Sequence, residues 1–253
     1  MWVPDVYHGA PTSVAAFVGT APKIAAVMFA FRILLTGFGE VHQYWAPMFA
    51  VLAVASLVVG NLAAIMQTNI KRMLAYSTVS HMGFILLAFM AGSIGSTAGL
   101  YYAITYALMA AAGFGILMVL SNDNIECEEI KDLAGLNQRH AWFALLMLLV
   151  MFSMAGIPPL MGFYAKFGVI MVLLKFHYVW LSVFAVVMSL IGAFYYLRVV
   201  KVMYFDEPTH DQPIGSNYAA KFFLSVNAFL LVLWGIMPQT MIDWCAKALE
   251  NTL

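Results

Sequence analysis

Apolar positions in this chain do not alternate; they run. Residues 12–35, 46–66, 74–91, 98–120, 141–174, 178–200 and 222–246 form long, almost wholly hydrophobic stretches separated by short polar segments. A hydrocarbon slab about 30 Å thick takes roughly 20 residues of helix at 1.5 Å per residue. These stretches meet or approach that length, and none shows the period-two pattern of a barrel strand. The pattern predicts an all-α polytopic membrane bundle of about seven transmembrane helices, forming a single membrane domain over residues 1–253. Two spans read as interrupted. The first starts at Pro11 and meets Pro22 inside it, and the fifth contains Gly156-Ile157-Pro158-Pro159-Leu160-Met161-Gly162. Proline removes a backbone donor, and irregular backbone at membrane depth is tolerated only inside protein or beside a watery cavity.

Composition agrees with the pattern. The chain is 64% hydrophobic and 9% charged, with 12 basic and 12 acidic residues, whereas a soluble domain is about a quarter charged. This excludes a soluble enzyme, a phosphate-reading basic surface and a disordered chain. The N-terminal Trp2-Val3-Pro4-Asp5 lacks the basic region and apolar core of a signal peptide, and the chain is expected to be a piece of a longer protein. Lys71, Arg72, Lys131, Arg139, Lys201 and Lys221 fall on one set of loops, against Lys175 and Lys247 on the other, with Arg32 near a helix end. Basic loops stay cytoplasmic, so the N-terminus is expected in the cytoplasm and the C-terminus outside. Cys127 and Cys245 then lie on opposite sides of the membrane, and no disulfide is expected between them.

Two lysines sit where charge is costly. Lys23 lies eleven residues beyond Thr12, roughly 16 Å into the slab. Lys166 follows the broken segment of the fifth span. A central charge costs on the order of 2.5–3.5 kcal/mol on insertion scales. Ionisable residues beside discontinuous helices mark ion pathways. A buried amine can release its proton near neutral pH, which a guanidinium cannot, so Lys23 and Lys166 are candidate proton carriers. The alternative is that each snorkels or pairs statically with a carboxylate. His81, four residues past Ser77, either bonds locally or extends a proton wire. Lys71-Arg72 reads as a topology anchor, Tyr195-Tyr196 with Arg198 and Lys201 as an interfacial belt, and Glu126, Glu128, Glu129 and Asp132 as a solvated loop face. Ala110-Ala111-Ala112-Gly113 and Gly115 read as a close helix-packing surface. His8, His42, His140, His177 and His210 fall in loops or at span ends without metal-ligand spacing. No metal site, catalytic nucleophile or cofactor motif is expected.

The wording of the segments goes further. Trp2-Val3-Pro4-Asp5-Val6-Tyr7-His8-Gly9-Ala10-Pro11-Thr12, Ala21-Pro22-Lys23-Ile24-Ala25, Gly60-Asn61-Leu62, Gln67-Thr68-Asn69-Ile70-Lys71-Arg72-Met73-Leu74-Ala75-Tyr76-Ser77, Ser80-His81-Met82-Gly83, Ala155-Gly156-Ile157-Pro158-Pro159 and Tyr195-Tyr196-Leu197-Arg198 recur in order. Together they resemble the subunit N family of proton-translocating NADH-quinone oxidoreductase, respiratory complex I. The resemblance implies a fold of fourteen core helices with two inverted repeats, of which this chain corresponds to helices eight to fourteen. It implies that Lys23 is a central proton carrier and that Lys166 serves the outward half-channel. It places NADH, FMN, iron–sulfur clusters and quinone in partner subunits, with no cofactor in this chain. It also implies an inner-membrane location beside antiporter-like subunit M and small membrane subunits. The same framework occurs in Mrp-type sodium/proton antiporters, which stand as the alternative function; a non-conducting structural membrane segment is the third.

Overall fold

The computed structural model describes residues 2–121, 127–208 and 218–250; Glu126 and His210 lie outside them. Eleven α-helices follow one another among the described residues: α1 (Trp2–Gly9), α2 (Thr12–Gly19), α3 (Ala21–Arg32), α4 (His42–Ile65), α5 (Ile70–Phe89), α6 (Gly92–Leu120), α7 (Leu136–Ala155), α8 (Met161–Lys175), α9 (Val179–Phe205), α10 (Tyr218–Ile236) and α11 (Pro238–Glu250). Six segments are long and apolar enough to cross a membrane: Thr12–Gly37, Gly39–Ile65, Gly92–Leu120, Leu136–Ala155, Val179–Phe205 and Tyr218–Ile236. The chain is thus an all-α membrane bundle. Its outer faces carry Phe29, Val51, Leu62, Trp180, Phe194 and Phe223, all exposed. In lipid this is the expected arrangement, because large apolar side chains need no shelter from hydrocarbon.

The third expected span, α5, is not among the six. Fifteen of its 20 residues are buried, including Lys71, Ser77, Thr78, Ser80 and His81. Neighbouring helices wrap it, so its polar side chains find partners in protein rather than lipid. Against α4 the fit is tight: a Cβ on Gly60 would lie 2.9 Å from the carbonyl oxygen of Tyr76 and 3.0 Å from Cα of Ser80. On the other side α6 packs against α2, α3, α5, α7, α8, α10 and α11. Its small residues act as sequence spacing suggested: Gly113 faces Val150 and Met154, and Gly115 faces Leu224.

Both expected interruptions are present. The first span breaks at Thr20, two residues before Pro22, with φ −119° and ψ −95°; Lys23 therefore lies in the first turn of α3. The fifth breaks after Ala155 and resumes at Met161. The seventh span is shorter than expected. It ends at Ile236, and Pro238 opens a separate helix, α11, that buries Met241, Cys245 and Leu249 while Gln239 and Asp243 face outward. Proline suits a first helical turn and stops the helix before it.

The basic end of the bundle is stapled rather than merely solvated. Lys71, expected as an anchor, is buried, ion-paired to Glu128 at 2.5 Å and hydrogen-bonded to the carbonyl of Ala10. Glu129 and Asp132 form a reciprocal cap, and Arg72 reaches Asp5 at 3.2 Å. The acidic loop is therefore structural in part: Glu129 and Asp132 satisfy backbone donors that a short helix leaves unpaired, and Glu128 neutralises Lys71. Tyr195 and Tyr196 are not an interfacial belt either; both are 1% exposed, inside the bundle.

Both described thiols are free and buried, Cys127 in the α6–α7 loop and Cys245 on α11. Burial pushes Cys127 up to about 12 from its ordinary 9.0, with Asp132 adding to the rise and Arg139 opposing it. Between those values the unfolded chain loses a proton that the folded chain keeps. This contribution to stability is thus fully present below pH 9.0 and is lost as pH climbs through about 12. Alkylation followed by mass spectrometry should find Cys127 inert at mildly alkaline pH in the folded protein and reactive once denatured. Equal labelling rates in the two states would contradict the burial.

Candidate functional site

The polar side chains of α5 form one inner face. Ser77, Thr78, His81 and Phe84 recur at helical spacing, so Thr78, His81 and Phe84 step about 9 Å along the axis. Each of the three meets part of a buried network.

At the Thr78 level stands Lys23. Its Nζ donates to Tyr7 Oη at 2.7 Å and to Tyr106 Oη at 3.3 Å, and it lies 4.7 Å from the Tyr106 ring centroid. Tyr106 and Thr78 share a short hydroxyl–hydroxyl hydrogen bond. Since Thr78 Oγ1 donates to the carbonyl of Leu74 at 3.0 Å, Tyr106 is the donor to Thr78. The donors therefore all point one way, from the amine through two hydroxyls to a backbone acceptor. Gly19, just before the break, faces the hydroxyl of Tyr7.

One turn on, His81 is buried between two phenols. Nδ1 is 2.8 Å from Tyr102 Oη, and Nε2 is 3.0 Å from Tyr196 Oη. A neutral imidazole donates on one side and accepts on the other, and a protonated one donates on both; hydroxyls accommodate either state. The ring is 5.1 Å from that of Tyr106, centroid to centroid. Its bonds reach across to α6 and α9, so they are not local to its own helix.

At the Phe84 level sits Lys166, 8% exposed. Nζ donates to the carbonyl of Ala155 and to Ser189 Oγ, both at 2.9 Å, and lies 5.6 Å from the Phe84 centroid. The acceptor carbonyl is the last residue of α7, freed because the helix stops there. Gly156 makes the stop possible. Its φ is +86°, and a Cβ there would come within 3.0 Å of Lys166 Cδ. Only glycine adopts that backbone without strain.

Among the described residues, neither amine has a carboxylate within ion-pair distance. Both are held by neutral oxygen atoms. The arrangement brings together the three residues singled out in the sequence, and adds Tyr7, Tyr106, Thr78, Tyr102, Tyr196 and Ser189. The signal for some of these was present: Tyr102 and Tyr106 are four apart on α6, and Thr78 and His81 three apart on α5, each pair on one face. Tyr7 and Ser189 come from other helices than the lysines they meet, and neither lies three or four residues from another member of the network, so they carried no such signal.

Comparison with known proteins gives the family of the chain. Residues 1–192 match the family described as NADH:quinone oxidoreductase/Mrp antiporter, transmembrane. NADH-quinone oxidoreductase subunit N of Neisseria gonorrhoeae is 82% identical over 254 residues, covering all of this chain and 53% of that protein. Its counterpart in Laribacter hongkongensis is 56% identical over 258 residues, again with 53% of that protein covered. The chain spans about half the length of the curated relatives it matches. Among solved structures, respiratory complex I from Thermus thermophilus with bound aureothin aligns with TM-score 0.81 and 30% identity, over 96% of this chain and 53% of that one. The Mrp complex from Dietzia sp. aligns with TM-score 0.89 over 99% of this chain and 55% of that one, at 21% identity, a likeness of fold alone.

Gly156→Ala should cost about 1–3 kcal/mol, because it forces a side chain into a left-handed backbone and against the Lys166 stem. Thermal unfolding in detergent should show a clear fall in midpoint. Gly9→Ala, where a Cβ meets nothing within 4 Å, should stay within about 0.5 kcal/mol.

Proposed function

This chain belongs to the NADH:quinone oxidoreductase/Mrp antiporter transmembrane family, and we propose that it carries protons across the membrane as part of subunit N of an NADH-quinone oxidoreductase. The observation that carries this reading is the state of Lys23 and Lys166. Two amines lie deep in a membrane bundle, each held only by neutral oxygens, with a hydroxyl–imidazole system between them. An amine fixed by a carboxylate would be locked in its charged form. An amine held by hydroxyls and a carbonyl keeps both protonation states within reach.

In this reading Lys23 and Lys166 load and release protons in turn, and His81 with Tyr102, Tyr106 and Tyr196 relays between them. The Thr78–Tyr106 pair holds the Tyr106 hydroxyl as an acceptor for the Lys23 amine in either protonation state. Moving one charge against 100 mV requires about 2.3 kcal/mol, so driving the cycle needs an outside source. Electron transfer from NADH to quinone in partner subunits supplies it, and FMN and iron–sulfur clusters belong to those subunits. Antiporter-like subunit M and small membrane subunits are its neighbours. The chain lies in a bacterial inner membrane, with the end bearing Lys71, Arg72, Lys131, Arg139 and Lys201 toward the cytoplasm. That asymmetry of basic residues supports the orientation. The Mrp-type exchange reading has fold likeness behind it but no comparable identity.

Proton pumping in inverted vesicles at matched NADH oxidation is the test. Lys166→Ala should abolish this subunit's share of the pumping. Lys23→Arg, which keeps the charge but never releases a proton, should do the same. Full pumping at normal electron flux with either substitution overturns the assignment of that lysine.

A further inference from the structure

A cavity of about 510 Å³ opens at the basic end of the bundle, between the α4–α5 loop, the segment after α6 and the last turns of α9. Gln67, Glu129, Lys131, Arg198, Asp206 and Glu207 are among its lining residues. Its lining mixes three carboxylates, Glu129, Asp206 and Glu207, with two cations, Lys131 and Arg198, and Lys201 lies 3.8 Å from Asp206; it is a polar, hydratable opening through which protons can approach. Its inner wall is Arg198. Nη1 donates to the carbonyl of Ile65 at 2.8 Å and Nη2 to that of Gln67 at 2.6 Å. These are carbonyls at the C-terminus of α4, which the helix leaves unpaired and which carry its partial negative charge.

One turn deeper the same two helices meet again. Tyr195 stands three residues before Arg198 on α9, and Asn61 four before Ile65 on α4. The Tyr195 hydroxyl donates to Asn61 Oδ1 at 3.2 Å, and Asn61 Nδ2 donates to the carbonyls of Leu57 and Met188 at 2.9 and 3.1 Å. Tyr195 and Asn61 are each 1% exposed and do not line the cavity. The Tyr195 and Tyr196 rings lie 4.3 Å apart, centroid to centroid, and Tyr196 bonds His81. Polar groups therefore recur from His81 outward along the α4–α9 interface, and the one among them that lines the cavity is the guanidinium.

We propose that Arg198 is an electrostatic stopper: it closes the α4–α9 interface to protons that enter the cavity, so that the buried network cannot leak at this end. Guanidinium suits the task for two reasons. It stays protonated at every physiological pH, so it cannot pass a proton on. Its fixed positive charge repels a hydronium ion approaching through the cavity. The α4 carbonyls hold that charge in place without neutralising it, as a carboxylate would. The proposal rests on the reading of the His81 network as a proton path.

The test is passive proton conductance of vesicles holding the whole assembly, measured without NADH after an acid pulse, with potassium and valinomycin clamping the potential. Arg198→Gln keeps donors for the carbonyls and removes the charge; Arg198→Met keeps the length and removes both. Each should raise conductance roughly tenfold or more over vesicles with the native residue. Arg198→Lys, which retains the charge, should stay tight. Adding Asn61→Leu to Arg198→Gln should close the leak again. Assembled Gln or Met variants as tight as the native protein overturn the proposal, and so does an equal leak in Arg198→Lys. If Lys166→Ala stops pumping while the Arg198 variants stay tight, only the stopper fails. If Lys166→Ala and Lys23→Arg both pump normally, the transport reading fails whatever the Arg198 variants do.

Discussion

A positive charge buried without a negative partner must find oxygen atoms, and the interior of this protein is organised by that demand. Lys23 takes two phenols; Lys166 takes a serine hydroxyl and a carbonyl. Each solution calls for an interrupted helix. The break at Thr20 puts Lys23 in a first turn, where Tyr7 and Tyr106 reach its amine. The break at Gly156 frees the Ala155 carbonyl for Lys166 and clears room for the lysine stem. Fractured backbone and buried charge are thus one feature. At Lys166 the helix gives up a hydrogen bond where the amine needs an acceptor, and at Lys23 the break sets the amine between two phenols.

That arrangement dictates the role of α5. A helix lined with Ser77, Thr78 and His81 is too polar to face lipid, so it is sheathed, and the small residues Gly60 on α4 and Gly113 on α6 let the sheath close. The network on its inner face then lies in a medium of low dielectric, where hydrogen bonds are strong and an unpaired polar group is expensive. Nearly every polar atom along it has a partner for that reason. The outer ring of helices bears no such constraint and presents Phe, Val, Leu and Trp to its surroundings.

At the basic end the same chemistry serves to hold the bundle together and to bound it. Lys71 ties the α1–α2 turn to the segment after α6 through Ala10 and Glu128. Arg198 ties α9 to the end of α4. Both are cations that sequence alone reads as surface anchors. Their partners make them internal braces, one neutralised by a carboxylate and the other left charged on backbone carbonyls. The difference matters, since a neutralised cation cannot repel a proton and an unneutralised one does.

The linear order of residues settled the fold class, the approximate spans, both interruptions and the presence of two deep amines. Hydrophobic length, proline and glycine act locally, and a local signal survives in one dimension. It also marked His81, but neither of its bonds is local. The phenols around it arrive from α6 and α9, and the hydroxyls around the lysines arrive from α1, α6 and α9, brought in by packing that no short window contains. Packing also turned Tyr195 and Tyr196 inward, ended the last span at Ile236, and paired Lys71 with Glu128. Which polar group meets which is a question of three-dimensional contact between distant helices. Only the folded bundle, closing around charges that had to be satisfied, decided it.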